Sequence, residues 1–266
     1  MTEDRYFAKD QEYKAERERL ELMADKLDPT SIRHLEMLNI APGWDCLEIG
    51  AGTGSIAYWL AERVQPDGTV TAIDINPRFL DEGKYSNLTV RKHNVLTDDL
   101  EEDSYDLIHC RYVFSHLKSD QNCLERMARA LRPGGILLII DADWSFARMA
   151  NINHIDSGFL AKMVNAFSQA AEKAGILDPY CGGNLREKLD GLGLIDVMAE
   201  GTFPISRGGD ATCKLFLRNA EIFKPQLVST GELNEQDFRR LETLVDNPSN
   251  YISGTPTIAA WGRKPE

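Results

Sequence analysis

Cysteine is scarce in this chain of 266 residues. Five occur, Cys46, Cys110, Cys123, Cys181 and Cys213, an odd number with no C-x-x-C pair, so the sequence offers neither a disulfide framework nor a thiolate zinc site. Long apolar runs are missing too. No stretch approaches the ~20 residues needed to span a bilayer, and the opening Met1-Thr2-Glu3-Asp4-Arg5 is charged and lacks the apolar core of a secretory signal. These absences predict a soluble protein of the reducing cytoplasm with no membrane partner. Positive charge is in deficit: 42 acidic residues face 30 basic ones, for a net charge of −12. Proteins that act on nucleic acids present a basic face to a polyanion, so a small-molecule partner is expected and a nucleic acid is not. Oligomeric state is left between monomer and homodimer.

What is present centres on Leu47-Glu48-Ile49-Gly50-Ala51-Gly52-Thr53-Gly54-Ser55. Cys46, Leu47 and Ile49 form a short apolar run suited to a buried parallel strand, and Ile56, Ala57, Leu60, Ala61 and Val64 then recur at helical spacing. The glycines fall where strand becomes helix. There a glycine takes positive φ and lets the main chain approach a ligand, while the free N–H groups of the new helix face the same space. The dinucleotide fingerprint G-x-G-x-x-G/A is not matched, because the third glycine comes one residue early and Ser55 follows it. Glu48 would face a pyrophosphate unfavourably, whereas a ligand bearing an ammonium and a sulfonium suits it. Val70-Thr71-Ala72-Ile73-Asp74 reads as the next buried strand, with Asp74 where such folds bind both ribose hydroxyls. Free ribose hydroxyls fit NAD or S-adenosylmethionine, not NADP. Asn76-Pro77 is expected to cap and open a helix.

These segments, with Ser104-Tyr105-Asp106-Leu107-Ile108 and the turn Leu131-Arg132-Pro133-Gly134-Gly135, resemble the class I, seven-strand S-adenosylmethionine-dependent methyltransferases. Within them the chain is similar to the small-molecule type that includes quinone-biosynthesis and natural-product enzymes. The resemblance is close over roughly residues 40–143. It implies a doubly wound, mostly parallel seven-stranded α/β sheet of Rossmann-like kind, with N-terminal helices and helical insertions forming a lid. It also implies that Glu48, Gly50, Ala51, Gly52, Thr53 and Gly54 line the methionine and ribose part of the cofactor. Asp74 would bind the ribose and Ile75 would pack on adenine. Asn94 and Val95 stand where the family has an acidic residue and its neighbour, so Asn94 departs from the pattern. Arg111 belongs to the same sheet edge and is counted with the cofactor residues.

Three regions are expected: a helical cover over 1–40, the cofactor-binding core over 41–143, and acceptor-pocket helices with the last two strands over 144–266. In the first, Tyr6, Tyr13, Leu20 and Leu27 recur every seven residues, and Asp28-Pro29 is expected to break this helix and cap the next. In the second, strands are expected near 45–49, 69–74, 88–92, 105–110 and 136–142, with helices near 54–64, 77–83 and 120–131, a βαβ pattern. In the third, helical spacing covers a face of Leu160, Met163, Val164, Phe167, Ala171 and Ala174, then 211–228 and 234–246, the last with Asn234 as N-cap.

Methyl transfer from a sulfonium needs alignment and exclusion of water more than a catalytic group. A base serves only if the acceptor is a hydroxyl, an acidic carbon or a protonated amine. Candidates are His154 with Asp156 after the fifth strand, and His116 in Phe114-Ser115-His116-Leu117 after the fourth. Asp141 and Asp143 would steer a cationic acceptor or cap the following turn. Amine-methylating enzymes of DNA and protein glutamine carry Pro-Pro-Tyr after the fourth strand, where this chain has His109-Cys110-Arg111-Tyr112, and the aspartate of metal-dependent catechol enzymes is missing there. No metal is expected. The aromatics Tyr6, Phe7, Tyr13, Trp144, Phe146, Phe159, Tyr180, Phe203, Phe216 and Phe223 suit an aromatic or apolar acceptor in part. The expected activity is methyl transfer to oxygen, nitrogen or carbon of such a metabolite. An NAD-dependent oxidoreductase, weakened by Ser55 and Glu48, and a non-catalytic cofactor-binding regulator are the alternatives.

Overall fold

A computed structural model describes residues 13–118 and 120–266. Helix α1 (Tyr13–Met37) precedes β1 (Asp45–Ile49), α2 (Ser55–Arg63), β2 (Thr69–Asp74), β3 (Leu88–Lys92), β4 (Tyr105–Arg111), α3 (Gln121–Ala130) and β5 (Leu131–Ala142). These strands pair in parallel, because each crossover carries the chain back across a face of the sheet. After β6 (Arg148–Met149), α4 (Ser157–Lys173) and α5 (Cys181–Asp190) come β7 (Ile195–Thr202), β8 (Ile205–Arg207), α6 (Ala211–Ser229), α7 (Glu235–Asp246), β9 (Tyr251–Ser253) and β10 (Thr257–Arg263). The main sheet has seven strands in the order β3-β2-β1-β4-β5-β10-β7, with β10 antiparallel to both neighbours. Strand order reverses between β1 and β4, so a crevice opens beyond their carboxyl ends.

The sheet is buried on both faces, as the continuous apolar runs of β4 and β5 require. Cys46, Leu107, Leu138 and Ile140 meet Leu35 of α1 and Ile56 and Leu60 of α2. Leu47, Ile49, Ile108, Leu137 and Ile139 meet Leu124 and Met127 of α3 and Leu185 and Leu189 of α5. A third core lies outside the sheet, where Met163 and Phe167 of α4, Phe223 of α6, Leu241 of α7 and Ile252 of β9 pack together. Truncating a fully buried leucine such as Leu241 to alanine in such a core costs about 2–5 kcal/mol. Asn234 begins α7 with a reciprocal cap: its side chain accepts from Gln236 and Asp237 N–H, and the Asp237 carboxylate accepts from Asn234 N–H at 3.0 Å.

Four local expectations are corrected. Helix α1 runs unbroken through Pro29. The proline removes a backbone donor, yet Leu27, Ser31, His34 and Leu35 are buried on both sides of it and hold the helix together, and the Asp28 side chain is drawn to Arg111 instead of capping a new helix. The segment 77–83 is not a helix. Leu80 N–H bonds Pro77 O in a single turn, while Asp81 N–H donates to the Tyr58 hydroxyl (2.7 Å) and Gly83 N–H to the Asp81 carboxylate (3.0 Å), so side chains replace helical carbonyls as acceptors. Strand β5 starts at Leu131 and not at 136, because the glycine turn is looped out within it between the Tyr105–Leu131 and Leu107–Ile136 pairs. Ala174 is exposed, just past α4. Helix α5 and the small sheet β6-β9-β8 were not anticipated. Tyr6 and Phe7 lie outside the described residues.

Candidate active site

The glycine turn is tied to β2. Gly50, Gly52 and Gly54 have φ of 70°, 56° and 86°, in the left-handed region. Gly50 N–H donates to Ile73 O at 2.8 Å, and Gly52 N–H to Asp74 Oδ2 at 3.0 Å. A Cβ at Gly50 would stand 2.1 Å from Val113 Cγ2, whereas one at Gly52 would meet nothing nearer than Leu20 at 3.9 Å. Gly50 is therefore fixed by packing and Gly52 faces open cleft.

Every cofactor residue expected from the sequence lines this cleft except Gly54, which caps α2 behind it. Asp74 accepts Gly52 and Asn76 N–H, the latter at 2.9 Å, and burial pushes its pKa up. Glu48 is buried, and its Oε2 lies 2.6 Å from Nδ1 of His109 on the neighbouring strand. Its other oxygen, Oε1, has no hydrogen-bond partner among the described residues. In the neutral ring the His109 proton then sits on Nδ1, and the buried Nε2 has no partner among the described residues. Asn94 Oδ1 accepts Leu96 N–H at 3.2 Å and shapes the turn after β3, beside buried Val95. Arg111 lines the cleft, but its guanidinium is engaged by Asp28 (2.7 Å), Ser31 (3.1 Å) and Ser55 (3.4 Å). It therefore clamps α1 over the start of α2.

A second cavity lies between α1, α4 and α6, walled by Trp144, Phe167, Phe216 and Phe223 with Lys26 and Asn219 among them. The two spaces share Arg19, Met23, Leu27, Tyr112 and His116. Tyr112 follows β4 in a left-handed conformation, φ 53°, which sets its ring at this junction, and its hydroxyl lies 2.9 Å from that of Thr257. Such backbone is costly for a non-glycine residue and collects at functional sites. The ring of His116, in the 3-10 turn Phe114–Leu117, has Nδ1 at 3.2 Å from Ile176 O, and burial lowers its pKa to about 4.

The other candidates lie differently. His154 lines neither cavity, and its Nδ1 accepts Asp156 N–H at 3.1 Å in the turn before α4. Asp156 pairs with Arg240. Asp141 borders the second cavity with both oxygens occupied, by Ser115 N–H (2.9 Å) and Ala142 N–H (2.8 Å), and burial raises its pKa to about 6. Asp143 caps the 3-10 turn Trp144–Phe146 through Ser145 N–H. Trp144, Phe216 and Phe223 line the second cavity, while Phe146 and Phe203 are exposed and touch each other. Sequence reasoning missed His109, Tyr112, Lys26 and the Asp28–Ser55 contact. Lys26 carried a signal, since it stands beside Leu27 and three residues from Met23 on the apolar stripe of α1.

Among the described residues no group of three or more histidine, cysteine, aspartate or glutamate side chains could hold a metal ion. No helix among them is long and apolar enough to cross a membrane.

Residues 47–137 match the methyltransferase domain family. Methyltransferase str2 of Strobilurus tenacellus is 36% identical over 151 residues, which cover 54% of this chain and 50% of that protein. The ubiquinone/menaquinone biosynthesis C-methyltransferase UbiE of Legionella pneumophila is 25% identical over 115 residues, 40% of this chain and 46% of the relative. The chain thus spans about half the length of these relatives. The fold is that of Haemonchus contortus phosphoethanolamine N-methyltransferase 2, solved with S-adenosyl-L-methionine, at a TM-score of 0.54 and 17% identity over 85% of this chain and 50% of that one. Over residues 47–137 the chain is thus similar to the methyltransferase domain, and its strand order and glycine turn accord with that likeness.

Proposed function

We propose that the chain binds S-adenosylmethionine in the β1/β4 cleft and moves its methyl group to a small, apolar or aromatic metabolite held in the second cavity. The observation that carries this reading is the junction: cleft and cavity share Met23, Leu27, Tyr112 and His116. The cleft fits the cofactor on its donor set. Two carboxylates, Glu48 and Asp74, face it together with Gly52, where a Cβ would meet nothing nearer than Leu20 at 3.9 Å. Asp74 would take the ribose hydroxyls, Glu48 Oε1 the ammonium, and Ile75, Asn94 and Val95 the adenine.

When bound, the cofactor supplies a methyl group already activated by its sulfonium. The protein's contribution is alignment and exclusion of water. Met23 and Leu27 close the junction with apolar surface, and Arg111 holds α1 in place through Asp28. Tyr112, hydrogen-bonded to Thr257, orients the acceptor. His116 rather than His154 takes any proton released, because it lines both spaces and burial keeps it neutral above about pH 4. We further place the protein in the cytoplasm as a monomer or homodimer that needs neither metal nor nucleic acid. The five cysteines, all free and buried, are in keeping with a reducing compartment.

Equilibrium titration with S-adenosylmethionine, its demethylated product and NAD tests the cofactor. Binding of the first two and not of NAD is expected, and binding of NAD alone overturns the reading. Methyl transfer across a panel of apolar acceptors then separates an enzyme from a regulator that binds without turnover.

A further inference from the structure

The methyl-transfer reading leaves one charge of the acceptor cavity unused. Lys26 follows Met23 by three residues on α1, so the helical face that closes the junction also brings an ammonium to the cavity wall. It does not border the cofactor cleft. Burial lowers its pKa, and the one opposing influence is the Cys213 thiol, itself held protonated by burial. Lys26 is therefore partly withdrawn from water without gaining an anion among the described residues, an unfavourable state for an ammonium.

The other charged groups on this wall are engaged. Arg19 pairs with both oxygens of Glu16 at 2.8 and 2.9 Å. Asp141 accepts two backbone N–H groups, and Asp178 accepts Tyr180 N–H at 2.9 Å. A second polar group on the wall is unmet: Oδ1 of Asn219, on α6, is buried without a partner among the described residues. The same cavity wall carries the aromatic rings of Trp144, Phe167, Phe216 and Phe223.

We infer that the acceptor is an apolar acid, a carboxylate on a ring or hydrocarbon frame, whose charge is taken by Lys26 and which offers a hydroxyl to Asn219. The inference rests on the methyl-transfer reading for the role of the cavity. A neutral apolar molecule would leave Lys26 without a counter-charge, and an amine cation would be repelled by it. A carboxylate satisfies the ammonium while the frame fills the aromatic wall.

The test is calorimetric binding of matched probes in the presence of the demethylated cofactor: 4-hydroxycinnamate, its neutral amide, the cation tyramine, and octanoate with octanamide. Unmodified protein is expected to bind the better acid at least ten-fold more tightly than its amide, and tyramine not at all. Lys26→Met should bring that acid to the level of the amide and leave the amide unchanged, and Lys26→Arg should keep the acid preference. Acids and amides that bind alike, no acid binding, or an acid preference that survives Lys26→Met would each overturn the inference. If a variant fails to fold, the acid-to-amide ratio on the unmodified protein decides alone. Titration of the demethylated cofactor keeps the two readings apart. Lys26→Met should bind it as the unmodified protein does, whereas failure of the unmodified protein to bind it defeats the methyl-transfer reading itself.

Discussion

The guanidinium of Arg111, the last residue of β4, lies 2.7 Å from the carboxylate of Asp28 in the middle of α1. Ser55, the first residue of α2, donates to the same carboxylate at 3.0 Å. One acid thus joins the N-terminal helix to both walls of the cleft. The side chains are only 13% and 24% exposed, so the pair is better shielded from water and salt than a surface ion pair.

That geometry predicts coupling. Arg111→Met leaves the Asp28 charge half-buried without its cation and should cost about 1–3 kcal/mol. Asp28→Asn in the same background should recover part of the loss, with a coupling energy on the order of 1 kcal/mol in the double-mutant cycle. Affinity for the demethylated cofactor should fall with each single change, because α1 closes the cleft. Thermal unfolding and equilibrium titration measure the two, and additivity within about 0.5 kcal/mol would show that the contact is incidental.

Gly50 makes a sharper case. An alanine there must hold φ near 70°, a conformation that costs a residue with a Cβ roughly 1–2 kcal/mol, and its methyl would stand 2.1 Å from Val113 Cγ2. Gly50→Ala should lower the melting temperature and abolish cofactor binding. Val113→Ala in that background removes the clash but not the backbone strain, so it should recover part of the stability. An unchanged melting temperature for Gly50→Ala would be incompatible with this packing.

These features differ in how far the sequence discloses them. The strand ends, the glycine turn and Asp74 follow from local pattern, because a buried parallel strand and a tight strand-to-helix turn each restrict residue type over a few neighbouring positions. The N-cap at Asn234 is legible for the same reason, though sequence reasoning missed its reciprocal partner Asp237. Pro29 misled, because local propensity argues for a break while the buried residues on either side hold α1 straight, a tertiary effect that propensity cannot see. Segment 77–83 failed in the opposite sense, its N–H groups being taken by a tyrosine of α2 and by its own aspartate. Glu48 was legible as an acid at the strand end, but its pairing with His109 spans 61 residues and depends on strand register. The same holds for Arg111 and Asp28, 83 residues apart.

The two histidines separate by position. His116→Gln should reduce methyl transfer to a hydroxyl acceptor by about 10²-fold or more, in the range for loss of a positioned base, while cofactor affinity changes little. His154→Gln should leave turnover within a factor of two or so, since its ring lines neither cavity and meets Asp156 instead. Steady-state rates with one acceptor measure both. A greater loss from His154 than from His116 would move the proton-transfer role to the α4 side.

His116 also gives the fold a pH dependence. Burial lowers its pKa from the ordinary 6.5 to about 4, so between those values the unfolded chain holds a proton that the folded chain does not. Its contribution is complete above pH 6.5 and is lost as pH falls toward 4, by up to roughly 3 kcal/mol. Asp141 works in the other direction. Its pKa is raised to about 6, so the folded chain takes up a proton before the unfolded one does, and acidification through that range relieves a cost. The two oppose each other, and the whole protein understates both. Comparing urea unfolding of the unmodified chain and His116→Gln at pH 7, 5.5 and 4.5 isolates the histidine. The stability of the variant relative to the unmodified chain should rise steadily as pH falls. A pH-independent difference would mean that the imidazole is as easily protonated in the fold as in the open chain.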